Sequence, residues 1–294
     1  MDDKPAHLIE RAAARLGAAK VSQDHPAPPL IAKTADGTAD TPSLKGVPVR
    51  MPYPSGSARI DEPALKRAGL INWELIDNRV AEEFRVLQNE LLRQGVRGEV
   101  ISARRDNLIM VTSALQGEGK SFTALNLSAG IARHGQRRVL LVDADCKAGA
   151  LAHLLDLPET PGLLDIVDGH GGDIAELTIS TAIENLSFLP IGNSAPNRGA
   201  ELLSGRRIGE IIQEIGRKYA DSLVILDTPP CLLSSAPNTL AGVVHQTIVV
   251  VAANSTQEAD VTATLELLSG CRQISLILNK IPPWTGHSFG TYYT

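Results

Sequence analysis

One stretch of the chain, 108–128, carries residue types that together suit the binding of a polyphosphate. Five apolar or β-branched residues at its start predict a buried strand. A loop with Gly117 and Gly119 follows, and Lys120 and Ser121 open a segment with helical spacing. Glycines let backbone N–H groups turn inward around an anion, and a helix N-terminus points its dipole at the same anion. The chemistry indicated is nucleotide binding, with the Lys120 ammonium on the phosphates and the Ser121 hydroxyl on Mg²⁺.

The pattern G-x-x-x-x-G-K-[ST] is missed at one position, because Ala114 stands where the first glycine belongs. The alternative is a tight turn in the core that happens to contain Gly-Lys-Ser. The strand before the loop and the helix after it favour the nucleotide site. The residues predicted to contact the nucleotide here are Gln116, Gly117, Glu118, Gly119, Lys120, Ser121 and Phe122.

Two further apolar runs end in aspartates. Residues 139–142 run into Asp143-Ala144-Asp145, and residues 223–226 run into Asp227. We expect Asp143 and Asp227 to hold Mg²⁺ together with Ser121, and Asp143 or Asp145 to orient or deprotonate an attacking hydroxyl. The three aspartates and Lys120 are the predicted catalytic residues. The alternative for each aspartate is helix capping at a strand–helix turn, which Asp commonly performs.

The rest of the sequence predicts the scaffold that brings these residues together. Apolar strands alternate with helical segments, the strands including 186–189, 247–251 and 274–278 and the helices 201–218 and 257–268. This order predicts an α/β fold, a doubly wound, mostly parallel sheet with helices on both faces. Ligands of such sheets bind at the carboxyl ends of the strands, where the motif residues fall.

Composition divides the chain into four predicted regions. Residues 1–20 contain an amphipathic helix, either a docking peptide or a frayed terminus, and 21–70 form a proline-rich, partly disordered linker. The P-loop domain spans 71–284, and 285–294 form a flexible tail. The domain opens with a helical stripe from Ile76 to Leu91, and a second face carrying Glu82, Arg85 and Gln88 is expected to be ordinary solvated surface.

Bulk properties narrow the class of protein. The 294 residues are 43% hydrophobic and 21% charged, with a net charge of −5 and a pI near 5.8, which argues against a nucleic-acid-coating protein. Three scattered cysteines fit a reducing compartment. No apolar stretch is long enough to cross a bilayer. We therefore expect a cytoplasmic protein, in which any membrane association comes through a partner.

Three segments together resemble one family. SALQGEGKS at 113–121, LLVDADCK at 140–147 and LVILDTPP at 223–230 look like the Walker A, A′ and B motifs of bacterial tyrosine kinases, relatives of the MinD/ParA ATPases. Glu82 and Arg85 look like the start of the family's oligomerisation helix, and Asn279 like the residue that approaches adenine. The whole layout resembles the autokinases of exosortase-associated exopolysaccharide loci.

The resemblance implies an activity and its partners. ATP and Mg²⁺ would serve to phosphorylate tyrosines of the chain's own tail, here Tyr292 and Tyr293, between subunits of a homo-oligomer. The cytoplasmic segment of a membrane polysaccharide co-polymerase, a chain-length determinant protein, would activate it at the inner membrane. A cognate tyrosine phosphatase would reverse the reaction, and the cycle would control polysaccharide polymerisation and export. A stray aromatic pair is the alternative for the two tyrosines.

The chain departs from the family pattern at several positions. Lys147 replaces the arginine that ends the A′ motif, and Gln88 replaces the last arginine of the oligomerisation motif. Two alternative functions therefore stay open: a MinD/ParA-type ATPase switch, and a non-catalytic ATP-binding scaffold of the export complex. The MinD/ParA loop carries a lysine near its start, where this chain has Ala114-Leu115-Gln116. This difference and the acidic pI count against the switch.

Overall fold

Apolar runs without polar interruption form the central strands of a single sheet. The computed structural model describes residues 59–73, 79–95, 107–134, 137–147, 150–157, 160–193 and 196–282, all within the second of the chain's two units, 52–294. The predicted N-terminal helix, most of the predicted linker and the tail with Tyr292 and Tyr293 lie outside these residues.

The described residues contain eight strands in the order β1-β4-β5-β3-β6-β2-β7-β8. All neighbouring pairs are parallel except β4 and β5. Every residue of β2, β6 and β7 is buried, which requires cover on both faces of the sheet. The predicted doubly wound, mostly parallel sheet is therefore confirmed. The strands are β1 Arg59–Ile60, β2 Leu108–Ser113, β3 Arg138–Asp143, β4 Ile179–Thr181, β5 Leu186–Leu189, β6 Ser222–Asp227, β7 Gln246–Ala252 and β8 Gln273–Asn279.

Ten helices connect or flank these strands in the described part of the chain. They are α1 Glu62–Arg67, α2 Arg79–Gly95, α3 Lys120–His134, α4 Leu151–Leu154, α5 Leu163–Asp168, α6 Ile174–Leu177, α7 Pro196–Ser204, α8 Arg206–Lys218, α9 Ala236–Ala241 and α10 Glu258–Leu267. None of the helices in these ranges is long and apolar enough to span a membrane.

Helix α3 is the central helix of the fold. Ten consecutive residues, 123–132, are buried, because the sheet lies on one side of the helix and α2 packs on the other. Buried polar side chains stay hydrogen-bonded: Asn126 accepts from Ile71 N and donates to Gly69 O, and Ser128 donates to Ala124 O. The helix therefore starts at the phosphate loop and is held rigidly behind it.

The boundary of the predicted linker, 21–70, was wrong at its C-terminal end. Arg59–Ile60 pairs with β4, and Asp61 caps α1 by accepting from Ala64 N at 2.8 Å. Ile60 and Leu65 are buried in the main core, so these residues belong to the domain. The segment is too short for periodicity to reveal it, although Asp61-Glu62-Pro63 is a helix-start signal.

Gln88 does not lie on a solvated face with Glu82 and Arg85. At 100° per residue, Gln88 is 120° away from Glu82 but only 40° from Phe84, which is buried. Gln88 is accordingly 4% exposed and packs on α3, whereas Glu82 and Arg85 form an ion pair at the surface. Residues spaced three apart are rotated by about 60° from one another around a helix, so they do not stay on one face. The prediction that Gln88 shares the face of Glu82 and Arg85 was wrong for this reason.

Two other predictions differ from the structure. The helix predicted at 201–218 is two helices, because the chain breaks at Gly205, the N-cap of α8, and α7 already begins at Pro196. The short elements α4, α5, α6, α9 and β4 were not predicted at all. Elements of three to six residues contain too few turns or alternations to produce a periodic signal.

Candidate nucleotide-binding site

The loop between β2 and α3 has the backbone of a phosphate cradle. Gly117 and Gly119 have φ of 81° and 102°, values that side chains with a Cβ rarely adopt. A Cβ on Gly117 would meet nothing within 4 Å, so the loop is open on that side. A Cβ on Gly119 would overlap the side-chain amide of Asn279. Both glycines are thus required, the first by conformation and the second also by close packing.

Lys120 lies at the centre of a cluster of carboxylates. Its Nζ is 2.7 Å from Asp145 Oδ2, 3.9 Å from Asp227 Oδ1 and 3.2 Å from the Ser121 hydroxyl. Burial acts to lower the pKa of Lys120, but the negative charges of Asp227, Asp145 and Asp143 outweigh it and the pKa lies above its usual value. The lysine is therefore a fully charged cation beside the loop.

The sheet register explains why the three aspartates meet. Asp143 lies directly across from Asp227 in the β3–β6 pair, and Asp227 pairs with Val111 of β2. The carboxyl ends of these neighbouring strands thus meet at the start of the phosphate loop. Residues far apart in sequence form one site for a topological reason, as predicted for this class of sheet.

Asp143 performs one of the two roles that the sequence left open, the capping of a turn. Its Oδ1 accepts from Asp145 N at 3.1 Å and its Oδ2 accepts from Ala152 N at 2.6 Å, which fixes the turn into α4. It also faces the site beside Asp227. Burial, together with the charge of Asp227, raises the pKa of Asp143 to about 8, although the two backbone N–H groups oppose the shift.

Asp227 is the best candidate for a metal ligand. The residue is 0% exposed, and neither carboxylate oxygen has a hydrogen-bond partner among the described residues. Burial raises the pKa of Asp227 to about 6, and the Lys120 cation limits the rise. A buried carboxylate with so few donors is costly unless cations approach it, and Lys120 Nζ already lies 3.9 Å from Oδ1. The site therefore fits Mg²⁺.

The described residues contain no group of three or more His, Cys, Asp or Glu side chains arranged to cage a metal. Mg²⁺ is usually bound by one or two carboxylates, water and substrate phosphates. Ser121 and Asp227, with Asp143 next to them, are the oxygen donors available for it.

The remaining predicted residues have different positions. The Phe122 ring packs edge-on against Phe84 at 5.9 Å and covers Gly69, so its side chain faces α2 and not the nucleotide. Asn279 Nδ2 donates to Glu118 O at 2.9 Å and thereby contacts the loop itself. Gln116 is exposed at the loop tip.

The sequence did not predict the contacts that the Glu118 side chain makes within the loop and with β7. The Glu118 carboxylate is 3% exposed and is directed at the loop's own backbone and at β7. Its position between the two glycines marked it as part of the motif, but nothing in the sequence indicates that Ala252 and Thr256 would lie beside it. Those contacts depend on the strand order of the sheet.

Comparisons with known proteins agree with this geometry. The family model described as "AAA domain" matches residues 107–275, more than half of the chain. The chain is 34% identical over 179 residues to the tyrosine-protein kinase wzc of Salmonella typhi, covering 60% of this chain and 24% of wzc. The putative tyrosine-protein kinase CapB of Staphylococcus aureus is 25% identical over 219 residues, 73% of this chain and 90% of CapB.

Among solved structures, the kinase domain of the Escherichia coli tyrosine kinase ETK superposes with a TM-score of 0.60 at 25% identity, covering 76% of this chain and 86% of that one. The chain spans about a quarter of the length of wzc. The predicted resemblance to bacterial tyrosine kinases is confirmed, and the exosortase-associated subfamily stays a prediction. This chain, with its nucleotide-binding P-loop, belongs to the AAA-domain family of ATPases, and its relatives there are bacterial tyrosine kinases.

Proposed function

We propose that this chain is an ATP-dependent tyrosine autokinase, which transfers the γ-phosphate of ATP to tyrosines in its own tail. The observation that carries the proposal is the convergence of Lys120 with Asp143, Asp145 and Asp227 beside the phosphate loop. Phosphoryl transfer consists mostly of positioning and neutralising charge, and these residues supply both. The similarity to proteins named tyrosine kinases supports the choice of tyrosine as acceptor.

Each residue of the site has a role in this proposal. The N–H groups of the loop and of the first turn of α3 bind the phosphates. Lys120 leaves Asp145 and pairs with the β- and γ-phosphates. Ser121, Asp143 and Asp227 hold Mg²⁺, which neutralises charge on the phosphates when bound. Asp145, freed from the lysine, orients the tyrosine hydroxyl or accepts its proton.

The acceptors and partners extend the proposal beyond the described residues. Tyr292 and Tyr293 are the proposed acceptors, reached by a neighbouring subunit of a homo-oligomer. The exposed Glu82–Arg85 pair on α2 is a candidate contact between subunits. We infer that the cytoplasmic segment of a membrane polysaccharide co-polymerase activates the protein at the inner membrane. A tyrosine phosphatase reverses the modification, and the cycle regulates capsule or exopolysaccharide export.

Mass spectrometry of the full chain tests the activity directly. The protein is incubated with ATP and Mg²⁺, with and without the cytoplasmic segment of the candidate co-polymerase. The expected result is added phosphate on Tyr292 or Tyr293 in the wild type and none in Lys120→Met, which lacks the cation for the phosphates. Tyr292→Phe/Tyr293→Phe is the matched control, because it removes the acceptors and leaves the nucleotide site intact.

Turnover of ATP with unmodified tyrosines under both conditions would exclude the autokinase and favour an ATPase switch. Nucleotide binding without turnover would favour a scaffold. Phosphate retained in Lys120→Met would point to a contaminating kinase.

A further inference from the structure

The side chain of Glu118 links the phosphate loop to the end of a neighbouring strand. Its Oε2 accepts from Leu115 N at 2.6 Å, three residues earlier in the same loop. Its Oε1 accepts from Ala252 N at 3.2 Å, at the last residue of β7. One buried carboxylate therefore bridges two segments that are 134 residues apart in the chain.

Thr256 completes this arrangement. Its hydroxyl donates to Glu118 Oε1 and also accepts from Ala252 N at 3.2 Å, so the Ala252 N–H is shared between the two side chains. Thr256 lies two residues before α10. Hydrogen bonds to a charged acceptor are stronger than neutral ones, and water is excluded here because Glu118 is 3% exposed.

A second contact closes the network from β8. Asn279 Nδ2 donates to Glu118 O at 2.9 Å, and Asn279 O accepts from Ala253 N at 2.8 Å. The phosphate loop is thus attached to the ends of both β7 and β8. These strands lie on one side of β2, the strand that precedes the loop, and β6 and β3 lie on the other side. The three aspartates that face the nucleotide belong to the β3 and β6 side.

We propose that Glu118 is a positioning residue, which with Thr256 as its anchor holds the phosphate loop in its binding conformation before nucleotide arrives. The proposal rests on the nucleotide-binding half of the proposed function and not on transfer to tyrosine. A loop with Gly117 and Gly119 has many conformations to lose on binding an anion. Ordering the loop in advance moves that entropic cost from the binding step to folding and raises affinity.

The arrangement also limits electrostatic repulsion between the Glu118 carboxylate and the bound anion. A negative charge beside a polyphosphate would repel it, but the Glu118 side chain points away from the cradle and receives donors from Leu115, Ala252 and Thr256. Leu115 N is occupied by this bond and is not among the donors left for phosphate. The side chain shapes the loop, while the backbone N–H groups of the cradle bind the ligand.

Thr256→Val tests the proposal in the full-length chain. Valine keeps the shape of threonine and removes the hydroxyl. Loss of one hydrogen bond to a buried carboxylate is expected to weaken binding of the slowly hydrolysed analogue ATPγS, with Mg²⁺, about tenfold by calorimetry. Amide hydrogen exchange at 114–119 should become faster in the nucleotide-free protein. Thr256→Ser restores the hydroxyl and should restore both values.

Thr262→Val is the matched control. Thr262 lies on the same helix, α10, and its hydroxyl donates only to Glu258 O of that helix, at 2.9 Å. This variant should bind ATPγS like the wild type. Glu118→Gln, which replaces one acceptor oxygen by a donor, should weaken binding at least as much as Thr256→Val, and Thr256→Val carries the test if the glutamine variant fails to fold.

Equal affinity and equal exchange at 114–119 in Thr256→Val and Thr262→Val would overturn the proposal. So would a loss in Thr256→Val that Thr256→Ser does not restore, because that result would indicate packing and not the hydroxyl bond. The readouts are independent of kinase activity. A wild type that binds ATPγS but never modifies its tyrosines would defeat the proposed function and leave this test valid.

Discussion

At the scale of single residues, the site places two buried carboxylates within 4 Å of one cation and a third buried carboxylate beside them. Lys120 is within 4 Å of Asp145 and Asp227, and Asp143 lies across the sheet from Asp227. Burial is the main cause of the raised pKa values of Asp143 and Asp227, and the negative charges of neighbouring aspartates add to it. Under the proposed function, a divalent cation bound with the nucleotide would offset this buried negative charge.

These raised pKa values predict how stability of the metal-free protein depends on pH. The unfolded value for Asp is 3.8, and the folded pKa values are about 8 for Asp143 and about 6 for Asp227. Between these limits the folded state holds protons that the unfolded state releases, so the free energy of unfolding falls as pH rises from about 4 to 8. Each retained proton contributes at most about 1.4 kcal/mol per pH unit.

Urea unfolding in EDTA across pH 6 to 9 measures this dependence. Asp143→Asn cannot ionise, so its free energy of unfolding should fall less steeply over the same range. Asp173→Asn is a suitable control, since Asp173 is an exposed partner of Lys218 and is not one of the residues of the site. A slope that is the same in Asp143→Asn and in the wild type would contradict the assignment.

At the scale of elements, the packing of α2 on α3 depends on a glycine. A Cβ on Gly130 of α3 would overlap the Gln88 amide and lie 2.7 Å from the Trp73 ring. That ring is fixed by aromatic contacts to Phe84 and His134, at 6.1 and 5.5 Å. Gln88 occupies the position of an arginine in the oligomerisation pattern, and here it contributes to the interface within the chain.

Gly130→Ala is therefore expected to destabilise the protein. Overpacking costs about 1–3 kcal/mol, which exceeds the gain of at most about 1 kcal/mol from the better helix propensity of alanine. The free energy of unfolding in urea gives the net effect.

Gly242→Ala provides the comparison, because its φ is −78° and a Cβ there would meet nothing within 4 Å. That variant should match or slightly exceed the wild type in stability. If Gly130→Ala is as stable as Gly242→Ala, α2 is free to move away from α3 at no cost.

At the scale of the whole molecule, nucleotide binding should stabilise the domain as one unit. The phosphate loop is attached to β2, α3, β7 and β8, so a ligand at the loop favours the folded state of the entire sheet. At a ligand concentration of 100 times Kd the stabilisation is about 2.7 kcal/mol. For a domain of this size that corresponds to a rise in Tm of about 5–10 °C.

Differential scanning calorimetry with ADP and Mg²⁺ measures this shift. Lys120→Met should show little or no rise at the same ligand concentration, since it lacks the cation for the phosphates. A rise of equal size in the variant would mean that the nucleotide binds elsewhere.

The sequence alone predicted much of the fold. The continuous apolar runs of β2, β3, β6 and β7 identified the central strands, and each ended near the residue that the structure gives. The phosphate loop, Lys120 and Ser121 were recognisable because a strand, a glycine loop and a helix N-terminus follow one another locally. The three aspartates were recognisable because they closely follow two other apolar runs.

Features that depend on contacts distant in sequence could not be predicted. The linker boundary was placed too late because β1 has only two residues and its strand character depends on its pairing with β4. The single antiparallel pair, β4 with β5, has no local signal either. Gln88 was assigned to the surface because a spacing of three residues was read without the drift of the helix.

The sequence by itself determined the fold class, the phosphate loop and the residue types of the site, because these follow from local periodicity and from motifs of a few consecutive residues. Only the tertiary structure decided that Glu118 bonds Ala252 and Thr256, that Gln88 packs on Gly130, and that the Phe122 ring faces away from the nucleotide. The physical reason is that strand order and helix packing choose the neighbours of each side chain. Strand order and helix packing are set by the free energy of the whole chain, so they cannot be derived from any single segment.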